Sequence, residues 1–301
     1  MAMARNVCGF VFNSAQGVFI EAEGPEAAVT AFVADLKTKA PPGAVINTLR
    51  AEPIPTLGER EFKIAASKTG GNSQAVIPAD MAMCDDCRRD IKDPGNRRYR
   101  YPFTNCTNCG PRFTIVRQLP YDRPMTVMSE FPLCPVCAAE YQNPADRRFH
   151  AQPNACPDCG PRAEYIESDT AFTGHEALRR AAAALGAGKI LAIKSLGGFH
   201  LACQASHDTA VATLRARKQR PHKPFALMFP SLKAVQKHCA VSEAEIAALL
   251  SPAAPAVMLR RITSAYPLTA PGLNTFAVML PFTPLHELLF ACTPNWALTA
   301  R

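Results

Sequence analysis

The chain has no apolar run approaching the ~18 residues that a bilayer-crossing helix needs. Its opening, MAMARNVCGFVF, carries one arginine but no apolar stretch leading to a small-residue cleavage site. Membrane insertion and export are therefore not expected, and a cytoplasmic location is. An excess of one charge is also missing from most of the length. The 33 Lys and Arg exceed the 25 Asp and Glu by 8, yet residues 1–83 net −1, residues 84–162 net +3 and residues 176–223 net +7. A basic field over the whole surface, the footprint of a nucleic-acid-coating protein, is excluded. What is present is 301 residues, 48% hydrophobic and 19% charged. That is enough for a sizeable core and, at about 150 residues per domain, for two domains or three small ones.

Cysteine is abundant and unevenly placed. Of 12 cysteines, eight lie between Cys84 and Cys159, all in C-x-x-C pairs. Without an export signal these are expected to be reduced thiols, which favours metal binding over disulfides. The pairs are Cys84/Cys87, Cys106/Cys109, Cys134/Cys137 and Cys156/Cys159, and corresponding cysteines are offset by 50 positions. The offset extends to Pro94 and Pro144, Arg97-Arg98 and Arg147-Arg148, and Gly110-Pro111-Arg112 and Gly160-Pro161-Arg162. This is a duplicated module. Two cysteines three apart put both thiolates on one side of a tight turn, and a second pair about 20 residues on closes a tetrahedral all-sulfur shell suited to structural zinc. Pairing within each repeat is the simplest reading, crossed pairing the alternative, and His150 a substitute ligand. Redox pairs or an iron–sulfur cluster leave the even spacing unexplained. The repeated arginines could meet phosphates, but Asp85, Asp86, Asp90 and Asp93 are interleaved with them, so local pairing is expected.

Before the repeat, VCGFVFN and GVFIEAE read as strands and Pro25 to about Lys39 as a helix with apolar Val29, Phe32, Val33 and Leu36 on one face. AVINTLRAEPI and EFKIAAS read as two more strands, giving β-β-α-β-β, followed by a Gly/Ser/Asn-rich linker over Lys68–Gln74. After the repeat, helices at His175–Ala187, Asp208–Gln219, 231–238, 242–250 and 284–291 alternate with strands KILAIKS, FHLAC, FALMF, VMLRR and FAVML. The fold class expected is α/β and α+β, multidomain.

The segment IKSLGGFHLACQASHDTAVATLRARKQRPHKPFALMF joins Gly197-Gly198, which lets backbone approach a ligand, to Arg215, Arg217, Lys218, Arg220 and Lys223. Cations on one stiff element suit a polyphosphate or acyl phosphate. The plainer reading is a solvated basic helix end, and the glycine pair is not a G-x-G-x-x-G fingerprint.

IPADMAMCDDCRRDIKDPGNRRYRYPFTNCTNCGPRF and FPLCPVCAAEYQNPADRRFHAQPNACPDCGPR resemble the paired zinc modules of HypF-type carbamoyltransferases of NiFe-hydrogenase maturation. LGGFHLAC with RKQRPHKPFALM resembles the YrdC/Sua5-like nucleotide-binding domain of that family, and GFVFN with GVFIEAEGP resembles part of an acylphosphatase domain of ferredoxin-like fold. The resemblance implies an acylphosphatase-like region at 1–68, zinc modules at 76–112 and 126–162, and a YrdC-like domain at 173–301. It implies two structural zinc ions, with ATP (and its Mg2+) and carbamoyl phosphate as substrates. It further implies a carbamoyl-adenylate product and a HypE-type partner whose terminal cysteine is carbamoylated. Lys194, Gly197, Gly198, Lys218, Arg220, Lys223 and His286 are the matching nucleotide-site positions, and Asn13 matches the acylphosphatase Asn. The phosphate loop with its catalytic Arg is expected before Met1, since Arg5 stands in no such loop. A Ser-Gly-Asn-type motif and a transfer domain are expected beyond the chain, which is therefore expected to be a fragment or a decayed copy that does not hydrolyse acyl phosphates. The alternatives are a threonylcarbamoyl-adenylate synthase for tRNA modification, which has no need of the zinc duplication, and a zinc-dependent nucleic-acid-binding module.

Elemental analysis of the purified chain is expected to give two zinc ions per molecule, with chelation unfolding the cysteine-rich region because binding and folding are coupled. One zinc, or iron with visible charge-transfer bands, would contradict this.

Overall fold

A hairpin opens the chain because two β-rich runs flank a short turn. In this computed structural model the residues described are 1–14, 17–40, 44, 46–65, 77–119, 121–293 and 296–300, with the side chains of 13 and 300 outside the description. Strand β1 (Cys8–Ser14) pairs antiparallel with β2 (Gly17–Glu23), Cys8 opposite Glu23 and Ser14 opposite Gly17. Helix α1 (Glu26–Thr38) starts after Pro25 and buries Phe32, which packs with Ala2, Val7 and the half-buried Ile20, Val29, Leu36 and Phe62. Strand β3 (Phe62–Ile64) lies parallel to β1, so the sheet order is β2-β1-β3. AVINTLRAEPI does not form the expected fourth strand: its described residues, 44 and 46–54, carry no strand. Pro53 and Pro55 remove ladder donors there, and the next free amides, of Leu57, Gly58 and Glu59, are taken by the Glu23 carboxylate at 3.1, 3.0 and 2.8 Å. The unit spans Met1–Ile77; all of the Lys68–Gln74 linker and all of Pro41–Gly43 lie outside the described residues.

Pro78–Arg301 forms the second unit. Its elements are α2 (Asp85–Lys92), α3 (Pro135–Gln142), the hairpin β4 (Glu164–Glu167) and β5 (Thr170–Thr173), α4 (Gly174–Gly186), the hairpin β6 (Leu191–Ser195) and β7 (Gly198–Ala202), and α5 (Asp208–Arg217). There follow β8 (Ala226–Met228), α6 (Leu232–Gln236), β9 (Cys239–Ala240), α7 (Glu243–Leu250), β10 (Val257–Arg261), β11 (Thr275–Met279), α8 (Pro284–Cys292) and β12 (Leu298–Ala300).

The main sheet runs β12-β8-β11-β10-β9, with β8 and β11 parallel and the other pairs antiparallel. Successive strand residues face opposite sides, and both sides are covered. Leu227, Phe276 and Val278 join Phe229, Val235, Leu249 and Leu259 in one core; Met228 and Leu298 join Leu185, Ala202, Leu289 and Phe290 in another. The β6–β7 hairpin is tied to β12, where the Thr299 amide donates to the Cys203 carbonyl at 2.9 Å and the Ala205 amide to the Ala297 carbonyl at 2.8 Å. The β4–β5 hairpin was not expected from the sequence: it turns at Ser168, in the left-handed region (φ 54°), with neither Gly nor Asn to signal it. Strands β9 and β12 are too short to show a pattern.

Gly9 faces Ala22 across the first hairpin at φ +128°, and a Cβ there would run into the Glu21 carbonyl. Gly9→Ala is expected to cost about 1–3 kcal/mol, the scale of stored backbone strain. Amide exchange should rise across β1 and β2 while β10 and β11 stay protected; unchanged exchange in β1 would contradict it.

Candidate metal centres and nucleotide site

In the first centre Cys84 sits immediately before α2 and Cys87 in its first turn, while Cys106 and Cys109 close a tight turn in which the Cys109 amide donates to the Cys106 carbonyl at 3.3 Å. The second centre repeats this with Cys134 before α3 and Pro135 as the first helical residue, where its missing N–H costs nothing. Each set of four sulfurs lies within 4.8 Å of one another. Sulfur–sulfur distances are 3.6, 3.8 and 3.6 Å in the first and 3.9 and 3.7 Å in the second. A regular tetrahedron with Zn–S of ~2.3 Å has edges of about 3.8 Å, whereas a disulfide needs ~2.05 Å. The eight cysteines therefore fit two structural zinc ions, paired within each repeat and not across it. No position is left open for catalysis. His150 stands outside both sets, stacked on Tyr141 with ring centroids 4.9 Å apart.

The repeated arginines are used internally, and across the repeats. Arg97, carried by the first module, donates to Cys134, Cys137 and Cys156 of the second at 3.4, 3.3 and 3.1 Å. Arg147, carried by the second, donates to Cys87 of the first at 3.1 Å and pairs with Asp90. Arg98 is buried, bound to the Glu140 carboxylate at 2.9 and 2.5 Å and to the Ala155 carbonyl at 2.8 Å. Arg148 repeats this 50 residues on, with Asp90 and the Asn105 carbonyl. Arg123, not singled out by sequence, donates to the carbonyls of Gln152, Asn154 and Phe131 at 2.6, 2.8 and 2.7 Å.

Module 1 is seated on α8. Cys87, Cys106, Cys109 and Ile91 share a core with Leu178 and Leu288. The Met83 amide donates to the Phe282 carbonyl at 2.9 Å, and Arg88 reaches Glu287 at 2.8 Å.

On α8 itself, His286 faces inward. It is 2% exposed, its two ring nitrogens find no partner among the described residues, and its ring lies 5.4 Å from His200 and 4.7 Å from Phe282. His200 is on β7 opposite Ile193, one residue from Lys194. Lys194 is exposed, its Nζ 5.5 Å above the Phe199 ring. Beside it the Ser195 hydroxyl is buried without a partner among the described residues. Gly197 (φ +78°) and Gly198 (φ +132°) turn the hairpin, and a Cβ on either would meet open space within 4 Å, so backbone there stays accessible. Lys218, Arg220 and Lys223 share the turn after α5. Arg215 builds that turn rather than serving a ligand: it donates to the carbonyls of Leu268, Thr269, Arg220 and Lys223 at 2.5, 2.9, 2.7 and 3.2 Å. Arg220 is left with Nε and Nη2 buried and no hydrogen-bond partner among the described residues; Lys223 is exposed.

In the first unit, Asn13 sits on β1 opposite Val18, its side chain outside the description. Arg5 closes the Met3–Arg5 turn and is paired with Asp35 at 2.9 and 3.1 Å, a brace for α1.

Family models match in three regions: Acylphosphatase at 1–64, HypF finger at 83–116 and 133–166, and the Sua5/YciO/YrdC model described as Telomere recombination at 183–299. The chain is 50% identical over 291 residues to carbamoyltransferase HypF of Rhodobacter capsulatus, covering 96% of this chain and 38% of that protein. To the probable carbamoyltransferase HypF of Methanocaldococcus jannaschii it is 44% identical over 296 residues, again 96% and 38%. The chain thus spans less than two fifths of the relatives it matches. A crystal structure of full-length HypF in its phosphate- and nucleotide-bound form superposes with TM-score 0.90 at 42% identity, over 99% of this chain and 39% of that one. HypF of T. kodakarensis gives 0.81 at 42% identity, over 100% and 39%.

Burial, with the His200 charge adding, pushes the His286 imidazole from 6.5 down to about 3. The unfolded chain takes up this proton below pH 6.5 and the folded one does not until about 3, so stability falls as pH drops through that window. In zinc-saturated protein, the fall in urea midpoint from pH 7 to about 5 should be smaller in His286→Gln than in the parent. Equal falls would contradict it.

Proposed function

Since the chain belongs to the HypF family over the three regions it shares with those carbamoyltransferases, we propose that its second unit binds ATP and supports carbamoyl transfer in hydrogenase maturation. Arg220 carries this reading. A buried guanidinium with unpartnered N–H groups is costly unless an anion completes it, and a nucleotide phosphate supplies that anion. Lys218 and Lys223 flank it on a turn held rigid by Arg215, which is the positioning that phosphoryl chemistry requires. Lys194 with Gly197 and Gly198 forms a second contact, where backbone accepts close approach, and His286 with Ser195 lines the inner side. In the chemistry proposed, carbamate derived from carbamoyl phosphate attacks the α-phosphorus of ATP. Its oxygen forms the new bond, pyrophosphate leaves with the electron pair, and phosphate has left in forming the carbamate. The cations and Mg2+ neutralise the charge that builds on the leaving group. In the transfer proposed, the terminal cysteine thiolate of a HypE-type protein attacks the carbamoyl carbon of the carbamoyl-adenylate, the C–S bond forms, and AMP leaves with the electron pair of the broken C–O bond. Asn13 is proposed to orient water at carbamoyl phosphate only where a phosphate-holding arginine is supplied, a part that Arg5, paired with Asp35, does not fill, so hydrolysis by this chain itself is not expected. The zinc modules hold the domain and touch no substrate. Division at 1–68, 76–112, 126–162 and 173–301 accompanies this proposal. A nucleic-acid reading is disfavoured because Arg97, Arg98, Arg147 and Arg148 are engaged by thiolates and carboxylates.

Titration calorimetry with ATP tests it. Arg220→Ala is expected to weaken binding by roughly 1.5–3 kcal/mol, the scale of a hydrogen bond to a charged group. Equal affinity in the two proteins would overturn the assignment.

A further inference from the structure

We propose that each four-cysteine centre is completed by an arginine from the other module, so that metal loading at the two sites is coupled. A divalent ion in four thiolates carries a net charge of −2, and most of these cysteines are buried. Burying uncompensated charge is costly. The second centre is compensated by Arg97, whose guanidinium spans three of its sulfurs at 3.1–3.4 Å, with Arg98 at 3.5 Å from Cys137. The first is compensated by Arg147 at 3.1 Å from Cys87.

The topology makes this exchange a coupling device. Arg147 lies in the 18-residue loop between Cys137 and Cys156, the loop that metal in the second centre closes. Arg97 lies in the equivalent loop between Cys87 and Cys106, closed by metal in the first. A filled site therefore shapes the loop whose arginine serves the other site. The loop carrying Arg147 is further tied to the first centre's Cys106–Cys109 turn, where Thr107 donates its amide and its hydroxyl to the Arg147 carbonyl at 3.1 and 3.0 Å. Arg97 and Arg147 are positioning residues: they bind thiolate sulfur, not metal. Because coupling free energy is reciprocal, emptying either site must weaken the other by the same factor.

The full chain loaded with 113Cd should give two resonances, followed under chelator competition. Arg147→Gln is expected to weaken the first centre about 10- to 100-fold, the usual effect of losing an outer-shell partner, and to leave the second, its own module's, nearly unchanged. Arg97→Gln should do the mirror image, and the Lys variant at either position should restore part of the loss. In a Cys134→Ser/Cys137→Ser protein the first centre should lose affinity by the factor that the second loses in Cys106→Ser/Cys109→Ser. The proposal is overturned if each arginine variant weakens its own module's site, if neither site responds, or if the first centre binds equally well with the second destroyed.

Discussion

Four thiolates held 3.6–3.9 Å apart around one point are the constraint on which the second unit depends. Without a cation they repel one another. With one they carry excess negative charge that must be answered nearby. The structure answers it with guanidinium groups, which suit the task because they stay protonated and present several N–H donors in one plane. Placing the answering group on the opposite repeat makes two small modules into one body. Neither could bury enough apolar surface to fold alone, and metal binding supplies the folding free energy.

That body reaches the candidate nucleotide site through α8. Three zinc-ligand cysteines pack against Leu288 on one side of the helix, and Glu287 is held by Arg88 and Lys92. His286 lies beside these residues in sequence and looks the other way, toward His200. A helix fixed on one face by a metal module is a rigid support for a buried imidazole on the other. The Thr283 hydroxyl caps the helix by accepting the His286 amide at 3.2 Å, so the start of α8 is set as well.

Buried arginines recur as the means of shaping irregular chain. Arg98, Arg123, Arg148 and Arg215 each donate to main-chain carbonyls that no helix or strand satisfies. Segments around the zinc ligands and after α5 have little regular structure, and the arginines give their carbonyls donors that the backbone there supplies only in part, as at Thr269, which also accepts the Phe225 amide. At Arg215 this frees its neighbour: with the turn carbonyls taken, the Arg220 guanidinium is left for something the described residues do not supply.

Several features were legible in the sequence because they are local. The duplication and the eight ligands follow from spacing, since two cysteines three apart in a tight turn must face the same way; which pair joins which stayed open in the sequence, and the fold groups them within each repeat. The first hairpin, α1 and most helices of the second unit follow from apolar periodicity and from caps such as Ser242 with Glu245. What tertiary structure decided is what each charged or polar side chain is for. One basic run contains Arg215 and Arg220, five positions apart, yet folding binds one to carbonyls from Leu268 and Thr269 and lays the other over the Phe225 ring with its Nε and Nη2 lacking a hydrogen-bond partner among the described residues. Likewise Arg97 and Arg147 read as possible phosphate contacts until the two modules meet and turn them onto each other's sulfurs. The fourth strand expected over AVINTLRAEPI failed for a related reason: Pro53 and Pro55 remove ladder donors, and the distant Glu23 carboxylate takes the amides of Leu57, Gly58 and Glu59 that follow. Spacing along a chain specifies which ligands share a turn; only the packing of distant segments specifies which charge answers which.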